Sequence, residues 1–156
     1  MNGDKGEGYG RILNPCCLIP EGQYEVAYLY YETAVYWRQP KVVVHFSIIN
    51  HDKLAGSEID RFYTVSELDG PPKRYGNFTV RSHNCSLVRE ISRLGLNIPR
   101  SDRISFLSLK DKRILAEIVP VLSDYRGHSL NEDEQYSRIA RLLGVVCMPS
   151  APMEQI

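Results

Sequence analysis

The strongest constraint on the fold is the alternation of bulky and polar side chains through residues 24–49. A period of two predicts β-strands, because successive side chains of a strand point to opposite faces. A turn at residues 38–40 divides the pattern into two strands. One face of the second strand consists of Val42, Val44, Phe46 and Ile48. We therefore expect a sheet whose core side includes that face.

Periodicity and capping residues predict the remaining elements. These are a strand over 58–65, a helix over 87–94 ended by Gly95, a short helix carrying Ile104 and Leu107, a strand over 113–125 and a last element over 136–146. The last element fits either a strand or a helix. If it is a strand, the order is that of the OB-fold, a five-stranded barrel.

We predict a mainly β protein with one or two helices, folded as an OB-like five-stranded barrel, and keep an open α+β sheet domain as the alternative. The barrel is favoured because closure removes sheet edges. The 156 residues suit one such domain. We expect residues 1–21 to be a flexible arm, 22–146 to be the OB-like domain and 147–156 to be a disordered tail.

Composition bears on the kind of partner. The net charge is zero, but its distribution is uneven. Residues 73–113 hold ten Lys or Arg and three acidic residues, and the rest of the chain holds nine Lys or Arg and sixteen acidic residues. A basic segment in a neutral chain favours an anionic partner. No apolar run approaches a membrane span and no signal-peptide core is present, so we expect a cytoplasmic protein without a membrane partner.

No short catalytic signature occurs in the sequence. Gly-rich phosphate loops, nucleophile elbows and zinc-protease motifs are missing, and the four cysteines contain no CxxC pair. The histidines are scattered at His45, His51, His83 and His128. The sequence therefore favours a protein that is not an enzyme and needs no metal or other cofactor.

Aromatic residues beside basic residues favour a surface for single-stranded DNA or RNA. Bases stack on aromatic rings in a basic groove, at about 1–3 kcal/mol per base, and in an OB barrel the second and third strands carry that surface. The candidate stacking residues are Trp37, Tyr63 and Tyr75, and the candidate phosphate contacts are Arg38, Arg61, Lys73, Arg74 and Arg81. Packing in the barrel wall is the alternative for each ring.

The triplet Arg61-Phe62-Tyr63 can be oriented in two ways, because neighbours alternate along a strand. If Phe62 faces the core, Arg61 and Tyr63 point outward together and suit a base with its phosphate. If Phe62 points outward, Asp60 and Thr64 share its face, which suits phosphate less well. We expect the first arrangement.

The segments KVVVHFSII, GNFTVRSHNCSLVREISRLG, SDRISFLSL, ILAEIVPVLSDY and YSRIARLL together resemble small uncharacterised proteins of phages, plasmids and integrative elements. Those proteins are similar in layout to OB-fold single-stranded DNA-binding proteins, and the resemblance spans residues 22–146. It implies an accessory protein of a phage or mobile element, and it transfers no functional residue. Phage and bacterial single-strand binders usually end in an acidic tail, whereas this chain ends in MPSAPMEQI, which disfavours a housekeeping replication role.

A function from another class stays open. Small proteins of mobile elements often inhibit a host defence or replication complex through a protein interface, and the acidic part of this chain is a candidate nucleic-acid mimic. A homo-oligomer is compatible with either function. Binding that weakens steeply with salt would indicate nucleic acid, whereas an apolar protein interface would resist salt.

Overall fold

The computed structural model describes residues 18–81, 85–95, 104–124, 126–131 and 134–146. Within these ranges the chain forms seven strands, one α-helix and one short 3₁₀-helix. In chain order they are β1 (Gly22–Tyr36), β2 (Gln39–Ile49), β3 (Glu58–Thr64), β4 (Glu67–Asp69), β5 (Asn77–Thr79), α1 (Ser86–Arg93), the 3₁₀ turn (Leu107–Leu109), β6 (Ile114–Val121) and β7 (Tyr136–Val145). The prediction of a mainly β protein is confirmed.

Five strands form one antiparallel sheet in the order β3-β2-β1-β6-β7, and β4 pairs with β5 in a separate small sheet. The two-residue turn Trp37-Arg38 joins β1 to β2, which pair along nearly their whole length. At its other end β1 pairs with β6 through residues 22–26. A register shift between Tyr28 and Tyr30 marks a bulge in β1, which bends the strand.

The sheet is open rather than closed into a barrel. Its edges are β3 and β7, and no backbone ladder joins them within the described residues. They run in the same direction and contact each other, and α1 packs against both. At this seam Arg93 Nη1 donates to the Leu142 carbonyl at 3.0 Å. The open sheet matches the alternative prediction.

The core lies on the side of the sheet that carries the even-numbered residues of β2. Val42, Val44, Phe46 and Ile48 are all fully buried, as the alternation predicts. Leu87 and Ile91 of α1 join the same apolar cluster. Burying each such side chain is worth about 1.5–3 kcal/mol, so this side of the sheet is the interior.

The ambiguous last element is a strand, β7. Pro120 lies in β6 beyond the residues that pair with β1, so its missing N–H breaks no bond on that side.

The predicted short helix is wrong for the part of the chain that the structure describes, since residues 104–106 are not helical and the 3₁₀ turn follows them. Its predicted start at residues 101–102 lies outside the described residues. Ile104 and Phe106 are buried on either side of the exposed Ser105. A spacing of two suits extended backbone rather than a helix.

The predicted arm and tail fall largely on residues 1–17 and 147–156, which lie outside the described residues. Ile19, the only buried residue of 18–21, donates its amide to the Ser137 hydroxyl at 3.0 Å. Within the part of the chain that the structure describes, no helix is long and apolar enough to cross a membrane.

Candidate nucleic-acid interface

The side of the sheet opposite the core is built from β1, β2 and β3. In β2 it carries Lys41, Val43 and His45, because the residues between them face the core. Their partners across the sheet are Thr64, Phe62 and Asp60 of β3 and Ala34, Glu32 and Tyr30 of β1. We call this surface the outer face. Aromatic, basic and acidic side chains lie on it in adjacent rows.

Arg61 and Tyr63 do not lie on the outer face, and the prediction that they point outward is wrong. They pair with Val44 and Val42 and therefore share the core side of the sheet. Only 8% of Arg61 and 2% of Tyr63 are exposed. Neither side chain is accessible to a base or a phosphate.

The carboxylate of Glu90 on α1 makes this burial possible. It accepts hydrogen bonds from Arg61 Nε at 3.1 Å and Nη2 at 2.7 Å, and from the Tyr63 hydroxyl at 2.7 Å. A buried charge is tolerated when it is paired and hydrogen-bonded. Sequence reasoning missed the pair because Glu90 lies on another element, 29 residues along the chain.

Phe62 takes the outward position, so the second of the two arrangements is observed. Its ring centre lies 5.8 Å from that of Tyr36, and Tyr36 lies 5.9 Å from Trp37. Trp37 is 58% exposed at the end of the β1–β2 hairpin. We call these three rings the tip cluster. Only Trp37 was among the predicted stacking residues, although the adjacent Tyr36-Trp37 pair was a visible signal.

Two cations border the tip cluster. Lys41 Nζ lies 5.9 Å from the Trp37 ring centre and donates to the Thr64 hydroxyl at 2.6 Å, and partial burial lowers the pKa of Lys41. Arg38 is exposed in the turn itself. Among the described residues no carboxylate lies at ion-pair distance from either cation. Both charges are therefore available to an anionic ligand.

The turn that carries the tip cluster is strained. Trp37 and Arg38 have φ values of 53° and 62°. Such left-handed backbone costs a residue with a side chain roughly 1–2 kcal/mol, and hairpin turns of this type prefer Asn-Gly. Backbone strain clusters at functional sites, so a Trp-Arg pair in this turn is a functional candidate.

The outer face also holds a stack of three planar side chains. The guanidinium carbon of Arg74 lies 3.9 Å from the Tyr30 ring centre, and the Tyr30 ring lies 4.3 Å from that of His45 at an interplanar angle of 21°. His45 Nε2 is 2.7 Å from Glu32 Oε2, and its Nδ1 is 2.6 Å from Asp60 Oδ1. We call this group the Arg74 stack.

His45 is positively charged at neutral pH. Burial by itself would lower its pKa, but the hydrogen bonds and charges of Asp60 and Glu32 outweigh burial and raise the pKa to about 9. A protonated imidazole has no lone pair for a metal. No group of three or more potential metal ligands occurs among the described residues.

The other predicted nucleic-acid contacts, Lys73, Arg74, Tyr75 and Arg81, do not share one surface. Residue 74 pairs with Glu32 in a bridge, so Arg74 shares the outer face. The Tyr75 ring lies off this face, because it packs 5.5 Å from that of Tyr31, whose partner in β2 is the core residue Val44. Lys73 is exposed in the loop before the bridge.

Arg81 follows β5 and forms an ion pair with Glu67 at 3.0 Å. Of the eight predicted residues, Trp37 and Arg38 form the turn at the hairpin end and Arg74 stacks on Tyr30 of the outer face, whereas the other five lie elsewhere.

Comparison with protein-family models, curated proteins and solved structures gave no significant match to this chain.

Proposed function

We propose that this protein is a non-catalytic accessory protein that binds single-stranded DNA or RNA on its outer face. The observation that carries the proposal is the tip cluster, whose Trp37 is exposed beside two further rings. Arg38 and Lys41 lie next to it. Exposed rings beside cations suit an unpaired base and its phosphate. The resemblance of the sequence to phage and mobile-element proteins supports that setting.

We propose that the open sheet is an OB-like fold, in which α1 and contacts between the edge strands take the place of a closing backbone ladder. The strand order supports it, since β3 and β7 approach each other and α1 follows the third strand of the large sheet. OB barrels bind oligonucleotides on their second and third strands and on the loop between the first and second. The corresponding parts here are β2, β3 and the Trp37-Arg38 turn, which is where the tip cluster lies.

The expected affinity is moderate. Each stacked base contributes roughly 1–3 kcal/mol. The outer face and its hairpin turn together offer three rings and the cations Arg38, Lys41 and Arg74. The zero net charge of the chain limits general attraction to a polyanion. We expect a dissociation constant on the order of 1 µM, or about 8 kcal/mol.

Fluorescence anisotropy tests the proposal with labelled oligothymidylate and oligouridylate of about 12 nucleotides. Trp37→Ala should weaken binding by about tenfold, which corresponds to about 1.4 kcal/mol. Tyr75→Ala is the matched control, because Tyr75 is 54% exposed and has a φ of 59° but lies off the outer face. No binding at low salt, or equal effects of the two substitutions, would overturn the proposal.

The second candidate function is a protein-interaction module that inhibits a host defence or replication complex. It is favoured by the hairpin end, where Val35 is 52% exposed and Trp37 is 58% exposed. Exposed tryptophans often dominate protein interfaces. Glu32 and Asp60 add acidic groups to the outer face, whereas Val35 points to the opposite side of the hairpin. Binding that resists salt and requires Val35 as well as Trp37 would support this function instead.

A further inference from the structure

Arg74 is the exposed layer of the Arg74 stack, and its guanidinium has unused donors. Among the described residues it has no hydrogen-bond acceptor and no carboxylate at ion-pair distance. Contact with the Tyr30 ring uses one face of the planar group, so its five N–H donors remain available at the rim. A planar fork of this kind fits two oxygens of one phosphate.

The layers beneath hold this fork in position before any ligand arrives. Tyr30 rests on His45, which is only 3% exposed. Glu32 from β1 and Asp60 from β3 fix the two ring nitrogens of His45 from opposite sides. A long side chain that is already ordered loses less entropy on binding.

The charges of the stack decide whether it can accept an anion. Four charged or titratable side chains meet in the stack. His45 lies on β2 between Glu32 of β1 and Asp60 of β3, and Arg74 forms a bridge with Glu32. With His45 protonated their charges cancel, and with His45 neutral the group is net negative. A net negative group repels phosphate, so the site depends on the proton of His45.

We propose that the Arg74 stack is a preorganised phosphate-binding site, in which Arg74 donates to a phosphodiester of the bound strand and His45 is a positioning residue. This inference rests on the proposed function and adds a backbone contact to the base contacts of the tip cluster. It extends the footprint of the bound strand from the hairpin end along β1 towards Arg74, which forms a bridge with Glu32.

Two probes separate a phosphate contact from a stacking contact. One is oligothymidylate, and the other is an abasic sugar-phosphate chain of the same length, about 12 units. Arg74→Gln should weaken both by the same factor, about fivefold, and reduce the slope of log affinity against log salt by about 0.7. Trp37→Ala should weaken only the oligothymidylate. Arg141→Gln is the control, because Arg141 is an exposed arginine paired with Glu117 on the β6–β7 side.

Arg74→Lys and His45→Gln test the geometry and the positioning role. Arg74→Lys keeps the positive charge but loses the planar guanidinium. Compared with Arg74→Gln, it should restore the wild-type salt slope but only part of the wild-type affinity. Wild-type affinity should fall as the pH rises through about 9. His45→Gln should bind more weakly at neutral pH and lack that fall. Lys41 titrates in both proteins, so the difference between them isolates His45. Tyr30→Leu removes the ring beneath Arg74 and replaces His45→Gln if that variant does not fold.

The outcomes distinguish this inference from the proposed function. Unchanged binding of both probes by Arg74→Gln, with Trp37→Ala still weakening oligothymidylate, would overturn the phosphate site and leave the proposed function standing. A wild-type protein that binds neither probe would overturn the proposed function itself. A pH profile that is the same in His45→Gln and wild type would overturn the positioning role.

Discussion

Glu90 is the residue through which α1 holds both edges of the large sheet. Its carboxylate accepts from Arg61 and Tyr63 of β3 and from the Leu142 amide of β7 at 3.1 Å. Glu90→Gln would leave the Arg61 charge buried without a counter-charge. We expect the free energy of unfolding, measured with urea, to fall by about 3–5 kcal/mol.

Glu117→Gln is the matched control for this prediction. Glu117 pairs with Arg141 at 2.6 Å on a partly exposed surface, where an ion pair is worth about 1 kcal/mol or less. If both substitutions cost the same, the buried pair would not be a principal stabilising contact of the seam.

Residue orientation was the part of the site that sequence reasoning could not derive. Within β3 the residues on both faces can pack or stack, since Phe62 and Tyr63 are both aromatic. Orientation is decided by a distant partner, because only Glu90 makes the core side acceptable to Arg61. The alternation of residues within β3 therefore cannot show that a carboxylate on α1 will pair with Arg61.

At the scale of elements, the turn of the β1–β2 hairpin exposes the Trp37 ring at a cost in conformational stability. The double substitution Trp37→Asn, Arg38→Gly gives the turn the residues that its positive φ values favour. We expect the free energy of unfolding to rise by about 1 kcal/mol, while binding of oligothymidylate weakens by more than the roughly tenfold expected for Trp37→Ala. Thermal denaturation and anisotropy measure the two effects. Unchanged binding would show that the tip cluster is not the site, and lower stability would show that the turn is not strained.

Elements with a regular period were predictable, and the irregular ones were not. β2 alternates without interruption, and its predicted core face is the observed one. β7 was ambiguous because its buried residues Ile139 and Leu142 are three apart, a spacing that also fits a helix. Register shifts in its pairing with β6 produce that spacing. An irregular register therefore interrupts the period of two in β7, and the sequence pattern alone does not identify a strand there.

At the scale of the whole molecule, His45 ties three strands together and makes stability depend on pH. Its pKa is raised from 6.5 to about 9 in the folded protein. Protonation therefore stabilises the fold fully below pH 6.5, and this stabilisation declines as the pH rises and is lost once it passes about 9. We expect a loss of no more than roughly 3 kcal/mol over that window, measured by urea denaturation. The same series on His45→Gln should lack this decline.

Charge distribution over the whole molecule sets the salt dependence of binding. The net charge is zero, so attraction to a strand must come from local cations. The outer face and its hairpin turn offer Arg38, Lys41 and Arg74. Each neutralised phosphate of a single strand contributes a slope of about −0.7, so we expect log affinity against log salt to fall with a slope of about −2. Anisotropy between about 50 and 200 mM salt measures it. A slope near zero would favour the protein-interaction module. A slope steeper than about −4 would require further cations from the basic segment 73–113 to join the interface.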